Sequence, residues 1–127
     1  MKNRIVFSVF ACTLGCAITA FAQNYPTRSV SVVVPFPAGG PTDTIARIMA
    51  ERMTRSLTQT VLVENSAGAG GTIGAGKVAR AAPDGYTVAI GHIGTHVING
   101  AIYQLPYDVF KDFAPVALVA KIGRAHV

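Results

Sequence analysis

Residues 29–35, Ser-Val-Ser-Val-Val-Val-Pro, form a nearly unbroken β-branched run that opens straight onto a proline- and glycine-rich loop, Phe36-Pro37-Ala38-Gly39-Gly40-Pro41. A short run of this kind predicts a strand buried on both faces. The same order recurs along the chain. Residues 60–64 predict a second short buried strand, followed by Asn65-Ser66-Ala67-Gly68-Ala69-Gly70-Gly71, and residues 86–91 predict a third, followed by Gly91-His92-Ile93-Gly94-Thr95-His96. The spacers between strands are long enough for helices. Ile45, Ile48, Met49, Met53 and Leu57 recur at helical spacing and mark the expected apolar face of a helix of about 15 residues, capped by Thr42 or Asp43. Residues 72–82 predict a helix rich in small side chains, ended by Pro83-Asp84-Gly85; residues 97–103 predict a short third helix, and residues 113–120 the start of a fourth strand. Strand, loop and helix in repeated order imply right-handed crossovers and an α/β fold, a mainly parallel sheet with flanking helices. The loops that follow the strands then share one edge, the carboxyl edge at which open α/β sheets bind ligands.

Ahead of this pattern, residues 1–22 read as a secretory signal. Lys2 and Arg4 precede an apolar run from Ile5 to Ala20, and Ala20-Phe21-Ala22 is an A-x-A cleavage site. The run falls short of the roughly 20 apolar residues that a membrane-spanning helix needs. Export to the periplasm is the expectation. Both cysteines, Cys12 and Cys16, lie inside this segment, so the expected mature chain has neither disulfides nor thiol chemistry. Thr13-Leu14-Gly15 places threonine where a lipobox requires leucine, which argues against lipid anchoring through Cys16. The chain has 11 basic and 6 acidic residues, with Lys2 and Arg4 in the leader and no cluster of basic side chains elsewhere. The electrostatic footprint of a nucleic-acid binder is missing, so nucleic acid is not an expected partner. Residues 121–127, Lys-Ile-Gly-Arg-Ala-His-Val, match one reading frame of a common sequencing adapter and are expected to be a non-native tail.

The loops suggest the chemistry. Glycines bring main-chain N–H groups close to a ligand, and a helix start supplies unpaired donors with partial positive charge. Gly39, Gly40 and Thr42 make one expected cradle, and Gly70, Gly71 and Thr72 another. Each favours an anion by about 0.3–1 kcal/mol from the helix dipole alone. Thr42, Thr72 and Thr95 add hydroxyls, and Phe36 an apolar cover. The competing reading is that these glycines serve only turns and helix–sheet packing. Asp43, at the first loop–helix junction, caps the helix, fixes the loop, or accepts a bond from a ligand.

Other motifs carry less. Gly71 to Val78 follows P-loop spacing until Val78 stands where the magnesium-holding hydroxyl belongs, and Gly74-Ala75-Gly76-Lys77-Val78-Ala79 fits a loose dinucleotide pattern inside a predicted helix. His92 and His96 are spaced for a metal pair, but Gly94 argues against a helix there and no third ligand is apparent. No metal or cofactor is expected. There is no cysteine nucleophile, no G-x-S-x-G around Ser66, and no close pair among Asp43, Glu64, Asp84, Asp108 and Asp112, so no catalytic residue is assigned.

Pro35-Phe36-Pro37-Ala38-Gly39-Gly40-Pro41-Thr42-Asp43 resembles the first-loop signature of the substrate-binding proteins of tripartite tricarboxylate transporters, the Bug receptor family. The similarity runs on through residues 63–74, 82–87, 94–96, 105–108 and 112–116. The resemblance implies that residues 23–120 are the N-terminal part of the first lobe of a type II periplasmic-binding-protein-like fold. It implies a monomeric periplasmic receptor whose two α/β lobes close on a small carboxylate and deliver it to membrane permease subunits. In such proteins the first-loop backbone and the second glycine-rich loop grip the carboxylate, partly through ordered water. By matching motif, the resemblance assigns ligand contacts to Phe36, Ala38, Gly39, Gly40, Thr42 and Asp43, to Gly70, Gly71 and Thr72, and to Thr95 and His96. Ser66 stands where family members often carry proline, which should loosen the second loop slightly. With part of one lobe, the 127-residue product is expected to bind weakly or not at all. The alternative left by the residues alone is an exported α/β enzyme acting on a small organic acid, with Asp43, His92 and His96 as its titratable candidates.

Overall fold

Strand β1 (Val30–Val34) lies between β2 (Val61–Asn65) and β3 (Thr87–Ala89), and all three run parallel. The computed structural model describes residues 24–120; the expected leader (1–22) and tail (121–127) lie outside the described residues. Val34 pairs with Asn65 and Val33 with Ala89, so the strands end within one residue of each other. The ladder continues as Ser66 N–H donates to the Val34 carbonyl at 2.8 Å and Ile90 N–H to the Val33 carbonyl at 3.0 Å.

The middle position accounts for the valines of β1, which is covered on both faces. Val30, Val32 and Val34 form the core with Val61 and with Ala46 and Ala50 of α1 (Pro41–Leu57). Helix α2 (Thr72–Ala79) crosses back from β2 and packs on β1 and β3. The two crossovers run in opposite directions, so right-handed connections place α1 and α2 on opposite faces of the sheet. The α/β architecture with a parallel sheet and flanking helices is therefore as expected.

Several local expectations are corrected. The inward stripe of α1 is Asp43, Ala46 and Ala50, continued by the half-buried Met53 and Leu57, while Ile45 and Ile48 are exposed. The helix lies close enough to β1 that methyl groups fill the contact, and the large isoleucines fall on its flanks. Neither Thr42 nor Asp43 caps α1. Gly40 is the extended N-cap residue and Pro41 the first helical residue, where its missing N–H costs nothing. β2 is an edge strand, not a buried one. Only Val61 is fully buried, and Leu62 is 55% exposed because α2 sits over β1 and β3 and leaves that face of β2 uncovered.

Helix α2 stops at Ala79, where the Ala81 N–H donates to the Val78 carbonyl at 2.9 Å and tightens the last turn. The expected third loop is mostly helical. Gly94–Ile98 form a wide π-type turn that runs into α3 (Asn99–Ile102). Gly94 does not break this turn; it permits it, because a Cβ there would stand 2.5 Å from His92 Cε1. Residues 113–120 form no strand: they pair with no described residue, and Val116 and Leu118 are exposed.

The two stripes of α1 make opposite predictions. Ala46→Leu should cost about 1–3 kcal/mol through overpacking, whereas Ile48→Gln should change stability by no more than about 0.5 kcal/mol. Urea denaturation followed by circular dichroism reads both, and a larger loss for Ile48→Gln would overturn the assigned face.

Candidate functional site

The three connections that leave the carboxyl edge meet around Pro35, the first residue beyond β1. Gly71 is buried there with a left-handed backbone (φ +92°), and a Cβ would stand 2.6 Å from Thr95 Cγ2 and 3.3 Å from Pro35 Cβ. Gly71 is thus required twice, by its backbone angle and by the approach of the other two connections. Phe36 of the first loop stacks on His92 after β3, with ring centres 4.6 Å apart and planes 11° from parallel. In a sheet of order 2-1-3, the crevice between β1 and β3 is where ligands bind.

The first loop is organised by Asp43. Its side chain is only 3% exposed, and its carboxylate accepts from Gly39 N–H at 2.8 Å, Arg47 Nε at 2.9 Å and Asn65 Nδ2 at 3.0 Å. The Arg47 hydrogen bond first, then those from Gly39 and Asn65, hold its pKa down to about 2 despite desolvation. The same pairing raises the pKa of Arg47. Asn65 Nδ2 also donates to the Phe36 carbonyl at 3.1 Å, and Arg47 Nη2 donates to Asn65 Oδ1 at 3.2 Å. Of the three roles open to Asp43, the geometry realises the fixing of the loop.

The second loop turns through Gly68, Ala69, Gly70 and Gly71, all at positive φ. Gly71 N–H donates to the Gly68 carbonyl at 2.9 Å; the Thr72 hydroxyl donates to the Ala69 carbonyl at 2.9 Å, which also takes the Thr72 N–H. Asn99 Nδ2 fastens this loop from α3 by donating to the Gly70 carbonyl at 2.8 Å.

After β3, Thr95 is fully buried. Its hydroxyl accepts from His92 N–H at 3.1 Å and lies 3.0 Å from the His92 carbonyl and 2.8 Å from His96 Nδ1. His92 Nδ1 accepts from Gly94 N–H at 2.8 Å, which leaves Nε2 as the protonated nitrogen of the neutral ring. His96 lies edge-on to Phe113, with ring centres 4.9 Å apart. Its pKa is lowered, by burial first and by the neighbouring His92 second.

These contacts narrow the donor set expected from sequence. The amides of Gly39, Gly71 and Thr72 serve the protein itself, and the hydroxyls of Thr72 and Thr95 are turned inward. Among the described residues, nothing accepts from the amides of Gly40, Thr42 and Asp43. Phe36, Ala38 and Gly40 border this first turn, whereas the His96 ring lies against Gly91 and Phe113 in the third connection. Sequence reading missed Asn65, Arg47 and Asn99. Asn65 is 22 positions from Asp43, and only the β1–β2 register brings it to the first loop. Two shallow concavities lie elsewhere, one lined by Tyr25, Pro26, Leu57 and Thr58 at the far edge of the sheet, the other by Tyr103, Leu105, Tyr107 and Phe110.

Residues 45–126 match the family described as tripartite tricarboxylate transporter family receptor. Protein BugT of Bordetella pertussis is 40% identical over 119 residues, which cover 92% of this chain and 36% of that protein. Among solved structures, MatC from Rhodopseudomonas palustris with bound malate matches with a TM-score of 0.71 and 52% identity, over 75% of this chain and 33% of that chain. A second Rhodopseudomonas palustris protein, solved with adipate, matches with a TM-score of 0.56 and 44% identity, over 57% of this chain and 24% of that one. The chain thus spans about a third of the length of the curated relatives it matches.

The buried carboxylate gives the loop an acid limit. Asp43 is depressed from 3.8 to about 2, so its stabilising contribution is complete above pH 4 and is lost as pH falls through about 2. Asp43→Asn should lower the urea midpoint at pH 7, and the gap to wild type should close between pH 4 and pH 2. A gap that stays constant over that window would refute the assignment of Asp43 as an ionised anchor.

Proposed function

The chain belongs to the tripartite tricarboxylate transporter receptor family, and from that premise we propose that its carboxyl edge forms one wall of a cleft that captures a small organic carboxylate. The observation that carries this reading is the first turn of α1, whose Gly40, Thr42 and Asp43 amides have no acceptor among the described residues while the loop before them is tied down by Asn65 and Asp43. A carboxylate oxygen seated there takes main-chain N–H bonds and the positive end of the helix dipole. Phe36, stacked on His92, supplies an apolar flank for the carbon skeleton. Malate and adipate, present in two related structures, support short acids carrying two carboxylates as the class to test first.

Magnitudes explain why one wall is a weak site. Hydrogen bonds to a charged group contribute about 1.5–3 kcal/mol each, and the dipole adds about 0.3–1 kcal/mol. Association costs about 4–15 kcal/mol in lost freedom. Two or three amides with the dipole supply about 3–10 kcal/mol, so even the most favourable balance, about 6 kcal/mol, stops at tens of micromolar, and tight capture needs the opposing lobe of a two-lobe receptor. The ligand would pass from there to permease subunits of a secondary transporter. A leader at residues 1–22 would take the protein to the periplasm, where it would act as a monomer. Asp43 is a poor candidate for a general base, since its carboxylate is committed to three internal donors. That favours a receptor over an enzyme.

Titrating the 15N-labelled 127-residue chain with malate and with adipate tests the reading. Saturable amide shifts are expected at Gly40, Thr42 and Asp43, with a Kd of tens of micromolar or weaker. Shifts confined to the Tyr25–Thr58 concavity, or none at this turn with either acid, would overturn the proposed site. Sub-micromolar binding would overturn the need for a second wall.

A further inference from the structure

We propose that Asn65 is the positioning residue of this site, a single side-chain amide that locks the first loop onto the end of β2 and so sets where the first-turn donors of α1 point. The inference rests on the carboxylate reading above for its function, but its geometry stands apart from any ligand. Asn65 is half-buried at the last position of β2, paired in register with Val34. Its two Nδ2 protons go to the Phe36 carbonyl at 3.1 Å and to Asp43 Oδ1 at 3.0 Å, and its Oδ1 accepts from Arg47 Nη2 at 3.2 Å. Phe36 is near the start of the loop and Asp43 lies in the first turn of α1. Asp43 in turn holds Gly39, between them, at 2.8 Å. Start, middle and end of the loop are therefore fastened through one amide.

The chemistry singles out this residue type. Aspartate offers acceptors only, and serine or threonine offers one donor. Turning the amide over would set Oδ1 against the Phe36 carbonyl and the Asp43 carboxylate, and Nδ2 against the Arg47 guanidinium, so the three partners fix its orientation. The charged and titratable groups around it are Asp43 and Arg47 of α1, Glu64 beside it on β2, which pairs with Lys77 of α2, and His92, which stacks on Phe36 from the third connection.

Two variants of the 127-residue chain test the proposal through amide hydrogen exchange and malate titration. In Asn65→Ala, the Gly39 amide should lose about tenfold in protection while the Ser31 and Ile90 amides of the sheet stay within about twofold, and malate should bind about tenfold more weakly. Asn65→Asp puts a second carboxylate against Asp43, and like charges at that distance push one proton affinity up. At pH 7 the loop should be loose in this variant. Towards pH 5 the carboxylate pair takes up one proton and the bond to Asp43 returns without the one to Phe36, so Gly39 protection and malate affinity, each taken relative to wild type, should recover in part. Unchanged Gly39 protection in Asn65→Ala, an equal loss across all sheet amides, or an Asn65→Asp variant whose ratio to wild type ignores pH would each overturn the proposal. If the exchange results hold while wild type shows no malate shifts at the first turn of α1, the carboxylate reading fails and the lock stands.

Discussion

Gly74 of α2 lies against Pro35 so closely that a Cβ there would stand 2.9 Å from Pro35 Cα and 2.7 Å from the Ser66 carbonyl. Gly71, one turn earlier, sits between Pro35 and Thr95. This contact at the end of β1 controls the geometry of the whole edge. Among the described strands β1 alone is paired on both sides, so its last residues are held from two directions. Whatever abuts Pro35 inherits that constraint. The second loop reaches it through Gly71 and Gly74, the third connection through Thr95, and the first loop begins from it. Small residues at these points let main chain meet main chain, and no long side chain is left to choose among rotamers.

The electrostatics of the edge follow from the same closeness. A buried carboxylate at a site proposed for anions looks contradictory at first. Asp43, however, shares its charge with Arg47 and with two neutral donors, so the pair presents little net field outward. Only the carboxylate is buried, and Arg47 reaches it from a half-exposed position, so removing Arg47 would leave a buried charge with neutral donors alone. The pair therefore acts as a fixed part of the scaffold. The positive potential that remains comes from the start of α1, and it is directional because the amides that carry it belong to a helix pinned at its first turn. On the proposed reading, a site built this way selects an anion by position. Arg47, the nearest guanidinium in the network, is already bound to Asp43 and Asn65.

The architecture was legible where one physical signal acted alone. The valine run of β1 and the glycine-rich turns marked the strands and the shared edge, because β-branching and backbone permissiveness are properties of single residues. Legibility failed where two partners far apart in sequence decide the outcome. Ile45 and Ile48 have the right spacing and hydropathy for a core face, but the approach of α1 to β1 admits only Ala46 and Ala50. Gly94 looks like a helix breaker until the His92 ring occupies the space its side chain would need. The site shows the same division. Gly39, Gly40 and Thr42 were readable as donors from composition, whereas the commitment of Gly39 to Asp43, and of Asp43 to Asn65, depends on a register that no local pattern encodes.

The segment after β3 has its polarity reversed for a surface helix. Thr95 and Asn99, four residues apart, are its buried side chains, while Ile93, Val97, Ile98 and Ile102 are exposed. Its tie to the second loop is the hydrogen bond from Asn99 to Gly70, beside the close approach of Thr95 to Gly71, while the bond from Thr95 to His92 fixes its own turn. Each such bond contributes about 0.5–1.5 kcal/mol net, less than a well-packed leucine. Because Asn99 holds the Gly70 carbonyl, this segment also ties down the turn of the second loop, which is packed on Pro35 through Gly71 and Gly74. The first loop is tied to β2 through the Asn65 amide instead. The two loops of the proposed cradle thus differ in what anchors them: side chains of α1 and β2 hold the first, while close main-chain packing and one amide from α3 hold the second.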